Sequence, residues 1–190
     1  MPELVPPDVR YQKSFLEAAE EILWSTDDDH YAGLAVFPPV DGYPGEQYEL
    51  EELRSTDTFS DFARRLRSTA DENSWFPDGV VPSTVLWWAE EDTYLGRLAI
   101  RHRMTPWLRD FGGHIGYVVR PAARQRGHAT AMLAAALPVA HGLGIDPALV
   151  TCDDTNLASR KVIEANGGVY ESQKGQKLRY WVPTSCAEPT

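Results

Sequence analysis

The chain has 190 residues, is 43% hydrophobic and carries a formal net charge of −10 at pH 7. That is enough apolar material for one sizeable core, and no Lys/Arg cluster suits nucleic acid or an anionic membrane surface. Cys152 and Cys186 are the only cysteines, so a disulfide framework is excluded, and no apolar stretch approaches the ~20 residues of a membrane span. These features predict a cytoplasmic protein with one domain over residues 1–183, an insertion loop at about 26–56 and a flexible tail at 184–190.

From Tyr11 to Trp24, Phe15, Ala18, Ala19, Ile22 and Leu23 recur at three- and four-residue spacing, which predicts an amphipathic helix. Thr26 to Thr56 shows neither helical nor strand periodicity. It contains Asp27-Asp28-Asp29-His30 and many aromatic, Pro and Gly residues, and reads as a long loop in which a solvated acidic cluster is favoured over a metal site. Thr58 to Ala70 predicts a second helix with Asp57 or Thr58 as cap. Ser83 to Ala89 and Tyr94 to His102 read as a hairpin around Glu90-Glu91-Asp92, and Gly113 to Val119 as a further strand. Ala129 to His141 predicts a helix interrupted by Pro138, Asp146 to Cys152 a buried strand, and Asn156 to Ala165 a helix stopped by Asn166-Gly167-Gly168. Val169 to Ser172 and Leu178 to Val182 complete a predicted sheet of six to seven strands. Trp87, Trp88 and Trp107 read as core and site-wall aromatics.

The order strand, short basic-glycine loop, helix at GHIGYVVRP, AARQRG and HATAMLAAAL carries chemistry. A helix start leaves backbone N–H groups unpaired and carries partial positive charge, so phosphate oxygens bind there. Gly127 lets the loop backbone approach such a ligand, although glycine at this kind of turn also serves purely structural ends. Arg124 and Arg126 could add charge or face solvent. The spacing is neither Gly-x-x-x-x-Gly-Lys-Ser/Thr nor Gly-x-Gly-x-x-Gly, so a nucleotide P-loop and a dinucleotide fold are excluded.

Arg124-x-x-Gly127-x-Ala129 resembles the Gln/Arg-x-x-Gly-x-Gly/Ala signature of the GNAT superfamily of N-acyltransferases. Asn156-x-x-Ser159, followed by Glu164 and Asn166-Gly167-Gly168, is similar to the helix that lines the pantetheine arm in that family. The runs GRLAIRHR, GGHIGYVVRP and VTCDDTN resemble a group of predicted bacterial acetyltransferases. The resemblance implies an α/β fold of the α+β type: a mixed, mostly antiparallel sheet flanked by helices. It also implies acetyl-CoA as cosubstrate, no metal, and transfer of acetyl to a primary amine by direct attack in a ternary complex. The implied cofactor-binding residues are Tyr117, Val118, Val119, Arg124, Gln125, Arg126, Gly127, His128, Ala129, Thr130, Asn156 and Ser159, with backbone groups of the Tyr117–Val119 strand acting as an oxyanion hole.

The sequence departs from the family pattern at Ile163, where many members carry a Tyr that protonates the leaving thiolate. Tyr117 and His114 are the replacement candidates, although strand alternation puts them on opposite faces unless a bulge intervenes. His102 is a further candidate base. Asp153 and Asp154 could accept a proton, bind a cationic acceptor or cap the following helix. Cys152 reads as buried packing. The acceptor is a small-molecule or peptide amine, its walls coming from the loops Thr26–Thr56 and Arg103–Phe111, whose composition suggests a cationic or amphipathic amine. A homodimer is left open. Ile163 also motivates a second reading, a non-catalytic acyl-CoA-binding module.

Overall fold

The structure, a computed structural model, describes residues 1–23, 34–37, 39 and 43–185. A seven-stranded sheet forms the frame. Its strands are β1 (Glu3–Val5), β4 (Ser83–Glu90), β5 (Thr93–Arg101), β6 (Ile115–Val119), β7 (Ala148–Asp153), β8 (Val169–Lys174) and β9 (Lys177–Val182), in the order β1-β4-β5-β6-β7-β9-β8. Every neighbouring pair is antiparallel except β6–β7. The mixed, mostly antiparallel sheet expected from the sequence is the one observed. Two further strands, β2 (Ala35–Phe37) and β3 (Glu46–Gln47), pair within the stretch read from sequence as a loop. They are too short for alternation to show. Asp27 to His30 lie outside the described residues.

Two layers of helix cover the sheet. Helix α1 (Gln12–Leu23) follows a 3-10 turn at Val9–Tyr11, and α2 (Thr56–Ser68) is capped by Ser55, whose Oγ accepts the Thr58 N–H, so Asp57 and Thr58 fall inside the helix. On this face Phe15, Phe59, Phe62, Trp87 and Tyr94 pack edge to face and stacked, with ring centroids 5.1–6.0 Å apart. Helix α3 (His128–Gly142), which runs through Pro138, and α4 (Leu157–Ala165) cover the other face over Leu98, Ile100, Ile115, Val150 and Tyr180. Trp87 and Trp88 are consecutive on β4 and therefore enter opposite layers. Asn156 is the N-cap of α4: its Oδ1 accepts the Ser159 N–H at 2.9 Å, a role the sequence reading offered to Asp153 and Asp154. The chain stays folded past β9, because Thr184 is 2% exposed and its Oγ1 donates to Ile145 O at 2.6 Å.

Candidate functional site

The feature that places the site is the one parallel pair. β6 and β7 are in register only at Ile115↔Val150. Just before that point they are pinned: His114 N–H donates to Leu149 O at 2.6 Å, and Leu149 N–H donates to His114 Nδ1 at 2.9 Å. Gly113 makes this closeness feasible, since a Cβ there would sit 2.6 Å from Leu149 O. Beyond Ile115↔Val150 the two strands share no further paired residues, so they part toward Val119 and Asp153. β5 on one side and β9 on the other stay paired along their length.

At the open end the chain turns through Pro121–Ala123 and residues 124–127 into α3. Gln125 has φ +62° and Gly127 φ +80°, so two left-handed residues curl the backbone around the helix start. No atom lies within 4 Å of a Cβ built on Gly127. The first turn of α3 begins with Ala131 N–H to Gly127 O, and helix geometry turns the N–H groups of His128, Ala129 and Thr130 toward the loop. No side chain caps them. Trp88 Nε1–H donates to His128 Nδ1 at 3.3 Å, so the neutral imidazole carries its proton on Nε2 as a second donor. The residues fit a phosphate-bearing ligand. Arg124 Nε donates to Val119 O at 3.1 Å, which ties this side chain to the end of β6.

The loop is also anchored from behind. Arg120 follows β6 and is 9% exposed; its guanidinium donates to both Glu21 oxygens, to Ser14 Oγ and to Tyr94 O. Glu21 in turn accepts the Ala122 N–H at 3.1 Å. Burial tends to raise the Glu21 carboxyl, but Arg120 and the Ala122 N–H outweigh it and hold it below its ordinary value of 4.5. This clamp between α1 and the phosphate loop was invisible in sequence, because its members lie 99 residues apart.

Tyr117 bridges the opening. Its OH meets Ser159 Oγ at 2.8 Å, the first turn of α4 facing it across the gap. Burial pushes the phenol up to about 12, with the Ser159 hydrogen bond acting against it. His114, by contrast, spends Nδ1 on the strand pinning, and burial together with the Arg101 charge lowers its pKa below 6.5. No bulge separates the two residues in the β5–β6 register. The structure thus brings Tyr117 to the opening and His114 to the pinned end. Ile163 is fully buried, and a Cβ on Gly168 would lie 2.5 Å from its Cγ2, so core packing occupies the usual acid position.

Of the remaining candidates, His102 Nε2 meets Thr84 Oγ1 at 2.8 Å and its Nδ1 meets Glu72 at 2.7 Å. It fastens the segment after α2 to the sheet. Asp153 pairs with Lys177 at 2.8 Å, and Asp154 accepts from Gln173 at 3.1 Å. Burial raises the Cys152 thiol, which agrees with a packing role. No group of His, Cys, Asp and Glu suited to a metal ion occurs among the described residues.

On the α1/α2 face, over part of β5 and β6, lies a cavity of about 1100 Å³. Its floor is Arg97, Ala99 and Arg101 of β5 with Gly116 and Val118 of β6, and Tyr117 borders it. Val36 and Phe37 of β2, the segment at 78–81 and the turn at 105–108 form the walls. That turn continues as a π-helical turn, Leu108–Gly112, a packing arrangement the sequence reading left as irregular loop.

The site thus combines a parallel pair in register at one point, a helix start with no side-chain cap at its mouth and a cavity at its back. The family model described as "Acetyltransferase (GNAT) domain" matches residues 46–169, and the chain belongs to that family. Solved structures agree on the fold. The microcin C7 self-immunity acetyltransferase MccE, in complex with acetyl-CoA and AMP, superposes with a TM-score of 0.59 at 11% identity, over 96% of this chain and 92% of that one. RimJ of Mycobacterium smegmatis, in complex with CoA-disulfide, gives 0.58 at 19% identity over 95% and 80%. The PaiA N-acetyltransferase of Thermoplasma acidophilum, in complex with coenzyme A, gives 0.55 at 14% identity over 96% and 99%. No curated protein matches by sequence. No helix among the described residues is long and apolar enough to cross a membrane.

Proposed function

We propose that the protein transfers the acetyl group of acetyl-CoA to a primary amine by direct attack in a ternary complex. The observation that carries this reading is the meeting of two compartments at Tyr117: the phosphate-binding cleft on the α3/α4 side and the cavity on the α1/α2 side. The N–H groups from Gln125 to Thr130, with His128 Nε2–H, hold the pyrophosphate. The main chain of Tyr117–Val119 holds the pantetheine amides and the thioester carbonyl, while Asn156 and Ser159 line the arm from α4. Membership of the family and the fold shared with coenzyme A-bound structures support this placement.

The neutral amine attacks the carbonyl carbon, the C–S bond breaks, the amine nitrogen gives up a proton and the thiolate takes one. An ordinary thiol titrates near ~8.5, so full proton transfer from a phenol held at about 12 is uphill by a few kcal/mol. Tyr117 therefore acts by donating a hydrogen bond to the departing sulfur, exchanging its Ser159 partner to do so, and solvent supplies the proton. Among the described residues the cavity holds no histidine, and its one carboxylate, Asp78, stands exposed at the rim. The amine accordingly enters already neutral. A cytoplasmic setting, where acetyl-CoA is available, suits this chemistry.

The test is free-thiol release from acetyl-CoA with a panel of amines. Turnover with at least one amine is expected. Tight coenzyme A binding without turnover on any amine overturns the reading in favour of a binding module, the alternative that Ile163 motivates.

A further inference from the structure

The turn that carries Trp107 is held more firmly than a surface connection usually is. Leu108 N–H donates to Thr105 Oγ1 at 3.2 Å and Gly113 N–H to Leu108 O at 2.6 Å, so the π-helical turn is closed at both ends. It is also fastened to three strands. Arg101 of β5 donates to Gly112 O at 2.8 Å, Thr151 of β7 to Phe111 O at 2.8 Å, and Arg179 of β9 to Arg109 O at 3.3 Å. Trp107 stands at the head of this mount. A Cβ on Gly112 would lie 3.0 Å from the Trp107 Cζ3, so the lack of a side chain there lets the indole settle against the turn. Phe111 flanks it with ring centroids 6.1 Å apart. Even so, Trp107 is 63% exposed, and it lines the cavity.

The polar side chains along the cavity are engaged by the protein's own main chain. Thr69 Oγ1 lies 2.7 Å from both Leu66 O and Ser83 O, Ser83 Oγ donates to Val81 O at 3.2 Å, and Thr105 Oγ1 takes the Leu108 N–H. Arg97 and Arg101 also donate to carbonyls, Arg97 to that of Ala35 at 3.4 Å. Asp78 is exposed at the rim. Among the described residues, the interior therefore offers a ligand mainly Phe37, Val85 and Leu108, with the indole of Trp107 beside them. About 1100 Å³ leaves room for an acceptor with a ring-sized body. Burying any apolar ring there is favourable, and an aromatic ring gains more because an indole can stack on it or meet its edge. A plate on a rigid mount also loses little freedom when it is covered.

We infer that the acceptor carries its amine on an aromatic body, Trp107 determining this specificity by packing against the ring while the amine reaches past it toward Tyr117. This rests on the acetyl-transfer reading of the same site. It concerns the body of the acceptor and not its charge, and it narrows the amphipathic amine suggested by loop composition to one with a π-face.

The experiment compares pairs matched in charge that differ in aromaticity: 2-phenylethylamine with 2-cyclohexylethylamine, benzylamine with cyclohexylmethylamine, and L-phenylalanine with L-cyclohexylalanine. Each is titrated calorimetrically into the wild-type protein saturated with coenzyme A. The saturated member is the more hydrophobic of each pair, yet the aromatic member is expected to bind about threefold or more tightly in at least one pair. In Trp107→Ala that preference should fall below about threefold, with Trp107→Phe keeping part of it and coenzyme A affinity unchanged in both. A smaller preference than this in every wild-type pair overturns the inference, as does failure of every aromatic probe to bind, and neither outcome needs a variant to fold. A preference that survives in full in Trp107→Ala overturns it too. Thiol release from acetyl-CoA with the same amines is a separate readout. Aromatic-selective binding without turnover counts against acetyl transfer and supports the role of Trp107, whereas turnover with no aromatic preference in binding supports acetyl transfer and overturns that role.

Discussion

The stretch from Gly113 to Val182 and the stretch before it contribute to one sheet, but they build their ligand sites differently. The later stretch makes the proposed cosubstrate cleft from near-contiguous pieces: β6, the loop at 124–127, the start of α3, and α4 following β7. The earlier stretch makes the proposed acceptor cavity from separated pieces, among them β2, the segment at 78–81, β5 and the turn at 105–108, and completes it with Gly116, Tyr117 and Val118 of β6. A site held by local backbone geometry tolerates substitution around it; one held by tertiary packing depends on every wall. The clamp of Arg120 and Glu21 is where the two stretches are fastened, and it offers the sharpest way to break the contrast.

Arg120→Met should have the largest effect. It leaves Glu21 part-buried without its guanidinium, a loss on the order of 3 kcal/mol in chemical denaturation. The pH signature has a definite sign. Glu21 is held below its ordinary 4.5, so its contribution is present above that value and is lost as pH falls through the lower, folded value. The stability gap between wild type and Arg120→Met should therefore narrow below about pH 4.5 and be constant from pH 5 to 7. A gap independent of pH down to acid unfolding would show that the clamp is not ionic.

Gly127→Asp comes next. It places bulk and negative charge in the open space of the loop, and coenzyme A affinity measured calorimetrically should drop at least tenfold, roughly 1.4 kcal/mol, with acceptor-cavity residues unmoved. Full affinity in the folded variant would remove the loop from the cosubstrate site. Tyr117→Phe is smaller still: kcat should fall about tenfold, as for one lost hydrogen bond to a charged atom, with KM for acetyl-CoA within about twofold. A hundredfold drop would instead mark Tyr117 as a true proton donor. The smallest effect is on the pH profile. With no base in the described cavity, kcat/KM should rise with pH along the acceptor amine's own titration, and changing the acceptor should move the midpoint. A midpoint indifferent to the acceptor would reveal a base in the enzyme.

The contrast also governs what the sequence could disclose. The turn from Arg124 to Ala129 into α3 and the start of α4 near Asn156 were legible because each is written in residues a few places apart, although the capping role itself had been given to the residues before Asn156. The pinning of β6 by His114 was not, since it depends on Leu149 in another strand, whereas the sequence showed only that His114 stands beside the strand expected to hold the thioester. Strands β2 and β3 escaped notice because three- and two-residue strands show no alternation, and β1 because Glu3–Val5 sits between prolines. Arg97 and Arg101 were read only as part of a strand.

Trp88 has a use that follows from its contact with His128. An indole whose N–H is bonded to the imidazole at the start of α3 is a natural optical reporter. A phosphate drawing on the same ring alters the indole's surroundings, so its emission should change as coenzyme A is titrated, whereas Trp107, in water at the cavity mouth, should shift to shorter wavelength when an acceptor covers it. Because the chain has six tryptophans, comparison with Trp88→Phe and Trp107→Phe variants assigns each change in emission to its compartment with no label attached.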